Sequence, residues 1–81
     1  MNYALILTYN FDQDCEVLLF NTWEEASTKL KEYAEEEFRI EAEENEYDSE
    51  LVHNDDWSYA EVISHFDDAD DICYYHVAHI A

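Results

Sequence analysis

The chain has 81 residues, enough for one domain and a modest core. Three Lys/Arg oppose 22 Asp/Glu, a formal charge of −19, which argues against nucleic acid or an anionic membrane as a direct ligand and points to a cationic partner. Hydrophobic residues make up 48% and aromatics 16%, a composition that excludes a disordered acidic tail and fits a compact fold.

Neither Gly nor Pro occurs, so tight turns are expected to rely on Asn and Asp, the residues that next best tolerate positive φ. Tyr3–Asn10 is rich in β-formers and too short for a stable helix, so it reads as a strand. FDQD (Phe11–Asp14) reads as a polar turn and Cys15–Asn21 as a second strand, which makes the pair a hairpin. Thr22 followed by Glu25 is a capping box, with Asn21 and Glu24 offering the same pattern one residue earlier.

The helix that starts there carries an apolar stripe of Trp23, Ala26, Leu30, Tyr33 and Ala34, spaced to lie on a sheet. Beyond Tyr33 the stripe fails, because Glu37 and Glu41 occupy core-facing positions. The last turns, to about Glu46, are therefore expected to overhang into solvent. Glu46–Asp56 reads as an acidic connection, Trp57–Phe66 as a third strand, Asp67–Asp71 as a turn and Ile72–Ile80 as a fourth strand. The expected fold is α+β: a small antiparallel β-β-α-β-β sheet covered on one face by one long acidic helix.

Both faces of the later strands carry large apolar groups. Ala60, Val62 and Phe66 alternate with Trp57, Tyr59 and Ile63, and Ile72, Tyr74 and Ile80 alternate with Cys73, Tyr75 and Val77. One helix covers one face, so the other should present an aromatic patch to a second copy or another protein.

The carboxylates are the candidate functional groups. Glu25, Glu32, Glu36 and Glu43 fall within about 40° of one another at about 100° per residue, lining one helix edge. Glu44, Glu46, Asp48, Glu50, Asp55 and Asp56 extend the negative surface into the connection, and Asp67, Asp68, Asp70 and Asp71 add a loop. Neighbouring helical carboxylates lie about 5–6 Å apart at Cβ, a spacing that approaches the phosphate spacing of a nucleic acid strand. Tyr47 and Trp57 are candidate anchors within this acidic region. Glu25 with Lys29 and Glu35 with Arg39 are spaced for ion pairs on the same helix.

No catalytic signature accompanies this charge. The Asp clusters lack the twelve-residue pattern of a calcium loop, so neither metal nor cofactor is expected. Cys15 and Cys73 match no metal spacing and read as free buried thiols. His53, His65, His76 and His79 lie in strongly negative surroundings, which makes them candidate pH-sensitive groups. The start MNYALILTYNFD lacks a basic region and a long apolar run, so a cytoplasmic location is expected.

In size, acidity and apparent lack of catalytic machinery the whole chain resembles small phage-encoded anti-defence proteins, the anti-CRISPR and anti-restriction DNA mimics. The resemblance lies in composition and architecture, with no shared motif. It implies a non-enzymatic inhibitor whose partner is a basic nucleic-acid-binding protein, a CRISPR effector or another defence enzyme. The alternatives are an interaction or homodimeric assembly module that uses the aromatic sheet face, and a housekeeping protein adapted to high salt.

Overall fold

The structure, a computed structural model, describes residues 1–80. Five strands and one helix follow in the order β1 (Tyr3–Tyr9), β2 (Glu16–Phe20), α1 (Trp23–Arg39), a π-helical turn (Ile40–Glu44), β3 (Asp48–His53), β4 (Tyr59–His65) and β5 (Asp70–His79). All pairings are antiparallel and the sheet order is β2-β1-β5-β4-β3, so the first and last strands meet at its centre. The α+β class, the hairpin and the covering helix agree with the sequence.

The number of strands does not. Asp48–His53, read above as part of an acidic connection, is an edge strand paired with β4 from Asp48↔His65 to His53↔Ala60. It escapes a hydrophobic count because an edge strand needs only a few inward side chains. Here Ser49 and Leu51 point to the helix side, and Leu51 packs against the core.

Helix and sheet meet through one contiguous cluster. Leu5, Leu7, Leu30, Ala34, Ala60, Val62, Cys73 and Tyr75 form it, with Leu18, Phe20, Phe38 and Trp57 around its margin. The pairings Leu7↔Tyr75 and Val62↔Cys73 place these side chains on one face. Small residues on α1 (Ala26, Ser27, Ala34) let its backbone approach the sheet, while Leu30 fills the space between.

Thr22 caps α1. Its hydroxyl oxygen accepts from the Glu25 amide at 3.2 Å and donates to the Glu25 carboxylate at 3.0 Å. That contact turns Glu25 back toward the cap, so the expected Glu25–Lys29 pair does not form and Lys29 pairs with Glu32 at 2.9 Å. The expected Glu35–Arg39 pair is likewise absent, because Arg39 reaches two other carboxylates, Glu36 at 2.6 Å and Glu44 at 3.1 Å. All three ion pairs are exposed and contribute little stability each.

The π turn inserts extra chain at the helix end. Asn45 donates its amide to the Ile40 carbonyl at 2.9 Å, an i→i+5 bond, and Glu46 then takes a positive φ of 57°. Helices commonly stop on a glycine in this conformation; without one, a Glu with a Cβ bears the strain. Glu46→Gly should therefore stabilise the fold by about 0.5–1 kcal/mol, read as a rise in melting temperature. Glu46→Gln separates the charge contribution from the backbone contribution. If Glu46→Gly rises no more than Glu46→Gln, the conformation carries no strain.

Trp57, also at φ 57°, is the second non-glycine residue with positive φ among those described. The expectation that Asn and Asp would take these positions fails. They serve the turns through side-chain bonds instead: Asn54 Oδ1 accepts from the Ser58 and Tyr59 amides, both at 3.1 Å, and Asn10 Oδ1 accepts from the Ile72 amide at 2.7 Å. The bend also breaks the alternation that grouped Trp57 with Tyr59 and Ile63, and sends its ring to the core side. The ring stacks on His53 at 3.7 Å between centroids, with Lys31 Nζ 5.4 Å from its centre.

Candidate functional site

The up-and-down course of the chain collects its negative charge at one end. β1 ends, β2 begins, the π turn closes, β3 begins, β4 ends and β5 begins at the same edge of the sheet. That end therefore carries Asp12 and Asp14 from the β1–β2 loop, and Glu41, Glu43, Glu44, Glu46 and Asp48 from the helix exit. Asp67, Asp68, Asp70 and Asp71 reach it from the β4–β5 turn. Arg39 is the only Lys or Arg there, since Lys29 and Lys31 lie earlier on α1.

This arrangement divides the sequence-selected residues. It brings together Glu43, Glu44, Glu46, Tyr47, Asp48, Asp67, Asp68, Asp70 and Asp71, with Glu36 and Glu50 close behind. Glu25, Asp55, Asp56 and Trp57 lie at the opposite end, beside the start of α1, while Glu32 is on the middle of the helix and paired to Lys29. Glu43 also drops back from the line of Glu25, Glu32 and Glu36, because the π turn advances less than 100° per residue. Asp56 accepts bonds from the Ser58 hydroxyl at 2.7 Å and amide at 3.1 Å, which hold its carboxyl below the usual range. Its place is in the β3–β4 turn.

Four residues of the acidic end escaped the sequence reading: Asp12, Asp14, Glu37 and Glu41. The first two sit in a turn whose position relative to the other loops depends on strand order. The last two read only as interruptions of the helix stripe. They line, with Asp71, a cavity of about 280 Å³ rimmed by Phe11, Tyr47 and Phe66. Tyr47 and Phe66 meet edge-to-face with centroids 4.9 Å apart, and about two-fifths of each side chain remains exposed (43% and 42%).

Inside the cavity, Glu41 accepts from the Ser64 hydroxyl at 3.2 Å and from the Asn45 side-chain amide at 3.3 Å. Burial, with Glu41 adding to it, raises the Glu37 carboxyl above its ordinary range. Burial also pushes the Cys73 thiol up to about 12, reinforced by Glu37 and Glu41. Cys73 is thus a neutral packing group at physiological pH and no nucleophile. Both cysteines are free, but Cys15 is exposed, which corrects the expectation of two buried thiols.

On the sheet face away from the helix, His65 bridges two strands. Nδ1 lies 2.9 Å from an Asp70 oxygen and Nε2 lies 3.0 Å from a Glu50 oxygen. The hydrogen bonds to Asp70 and Glu50 raise the imidazole pKa, and the charges of Asp70 and Asp48 add to the shift. A raised histidine pKa contributes stability that is fully present below its unfolded value and fades as pH rises through the folded value. As pH rises above the ordinary histidine value of about 6.5, the native protein should therefore lose stability more steeply than His65→Gln. Parallel slopes in urea titrations would remove His65 from that role.

Among the described residues, no group of three or more His, Cys, Asp or Glu is placed to hold a metal ion, and no helix is long and apolar enough to cross a membrane. No protein-family model, curated protein or solved structure matches the chain.

Proposed function

We propose that this protein is a non-enzymatic inhibitor that offers its acidic end to a basic nucleic-acid-binding protein in place of a nucleic acid backbone. The observation that carries this reading is the convergence of carboxylates from the β1–β2 loop, the helix exit and the β4–β5 turn, with Arg39 as their one opposing Lys or Arg. Such a surface costs self-repulsion in the compact state. A receptor lined with Lys and Arg would relieve that repulsion on binding, which is how it would tell this protein from a neutral one.

Charge steers the encounter and aromatic groups hold the complex. Phe11, Tyr47 and Phe66 stand among the carboxylates as exposed apolar groups that a partner can desolvate. A defence enzyme such as a CRISPR effector is the kind of partner this chemistry fits, and the host cytoplasm is where the two would meet. No cofactor takes part.

The reading is tested by capturing binding proteins from a host lysate on the immobilised chain and measuring each one's affinity for a labelled oligonucleotide by anisotropy. The expected partner loses DNA or RNA binding as the chain is added, and its affinity for the chain falls steeply with salt. A partner that keeps its oligonucleotide while saturated with the chain would defeat the proposal.

A further inference from the structure

Leu7 pairs with Glu16 on one side and Tyr75 on the other, so a carboxylate, a leucine and a tyrosine stand abreast on the helix side of β2, β1 and β5. Tyr9 follows two residues along β1, and Tyr33, Glu36 and Glu37 come from one face of α1. Together these seven residues line a second cavity, of about 250 Å³, which shares only Glu37 with the one rimmed by Phe11, Tyr47 and Phe66.

Tyr75 is the informative residue in this wall. It is only 3% exposed, yet its hydroxyl bonds no nitrogen or oxygen among the described residues; its hydrogen-bonding neighbour is the Cys73 sulfur, a weak acceptor. Side-chain nitrogens and oxygens sealed from solvent all have partners here, so this oxygen is not sealed and opens on the cavity that its residue lines. Two of the three carboxylates also lack a cation. Arg39 holds Glu36, whereas Glu16 and Glu37 join none of the ion pairs. Glu37 receives only a weak contact from the Cys73 thiol at 4.0 Å. A buried oxygen without a donor, beside carboxylates without a cation, calls for a ligand that brings positive charge and N–H groups together.

We propose that this cavity binds the head of an organic cation bearing N–H groups, a primary ammonium or a guanidinium. Its charge meets Glu16 and Glu37, an N–H donates to the Tyr75 oxygen, and its stem lies against Leu7 and the rings of Tyr9 and Tyr33. Tyrosine rings attract such cations, and the fold already shows one case, with Lys29 Nζ 5.8 Å from the Tyr33 ring centroid. A quaternary ammonium has no N–H and would leave the Tyr75 oxygen unmet. A bare metal ion fits less well, since among the described residues no three His, Cys, Asp or Glu groups converge to ligate one. The volume of about 250 Å³ falls below the roughly 300–1,000 Å³ of pockets for drug-sized ligands, which suits a head group with a short stem. The field of a −19 chain draws cations to its surface; the hydroxyl and the rings then select among them.

NMR titration of the ¹⁵N-labelled chain with n-butylammonium at fixed ionic strength tests the site. Saturable shifts are expected at Leu7, Tyr9, Glu16 and Glu37, with a Kd of about 1 mM or tighter, and none with 1-butanol. Tetramethylammonium should bind at least about fivefold more weakly. Tyr75→Phe and Glu37→Gln nearly preserve side-chain volume, and each should weaken n-butylammonium about tenfold, while Tyr75→Phe leaves tetramethylammonium unchanged. Glu43→Gln removes one charge outside the cavity and should change the Kd less than about twofold. A blocked Ala-Lys-Ala peptide identifies the source of the cation. Shifts at the same residues with a comparable Kd assign the cavity to a basic side chain, and their absence assigns it to a free amine. No saturable shift, shifts spread evenly over the acidic surface, binding indifferent to both cavity variants, or tetramethylammonium as tight as n-butylammonium would each overturn the site. These measurements involve no partner protein, so this inference and the inhibitor reading fail separately.

Discussion

Reversing two charges at the acidic end, Glu43→Lys with Asp67→Lys, is expected to weaken partner binding about 100-fold at low salt. The matched reversal at the far end, Glu24→Lys with Asp55→Lys, should cost less than about tenfold. Both variants change net charge equally, so the difference between them isolates where the charge sits. The magnitude follows from turning two attractions into repulsions, each worth about 1.4 kcal/mol where a charged pair is partly desolvated. Added salt should narrow the gap between the two variants, since exposed charges farther apart than about 10 Å are largely screened at about 0.1 M. Calorimetric titration against the captured partner supplies the constants. Equal losses in both variants would mean that only overall charge matters, and the acidic end would lose its special role. Neither pair includes a buried residue, so circular dichroism should show both folded.

The second large effect concerns the core. Leu30→Ala is expected to destabilise the fold by about 3 kcal/mol. Leu30 is fully buried between α1 and the sheet, and its neighbours Ala26 and Ala34 are too small to fill the space left behind. A domain of this length has only about 4–12 kcal/mol to lose, and repulsion among its carboxylates lowers that margin. The melting temperature should fall by about 12–24 °C. Thr28→Ala, on the exposed side of the same helix, should stay within about 0.5 kcal/mol of the native protein. Urea denaturation followed by tryptophan fluorescence reads both variants, because Trp23 and Trp57 are partly buried. A loss below about 1 kcal/mol for Leu30→Ala would mean that α1 is not anchored where the structure places it.

Much of this molecule was legible residue by residue. The Thr22 cap, the stripe of Trp23, Ala26, Leu30 and Ala34, the hairpin and the two apolar faces follow from periods of 3.6 and 2, which neighbouring residues impose through backbone geometry. The expectation that the turns beyond Tyr33 overhang into solvent fails, because Phe38 packs against the core and Glu41 accepts from Ser64 of β4, while Tyr33 is exposed. The charge and its lack of cations were plain in the composition. The sequence could not show that β1 lies beside β5, because pairing between residues more than sixty positions apart leaves no local period. That pairing, with the antiparallel course of β3 and β4, gathers the loops bearing Asp12, Asp14, Asp67 and Asp68 beside the helix exit. It also leaves Asp55 and Asp56 at the other end. Trp57 changed sides for a local reason of another kind, a positive φ that periodicity does not register. The amount of charge was thus written in the chain, while its concentration at one end was decided by strand order.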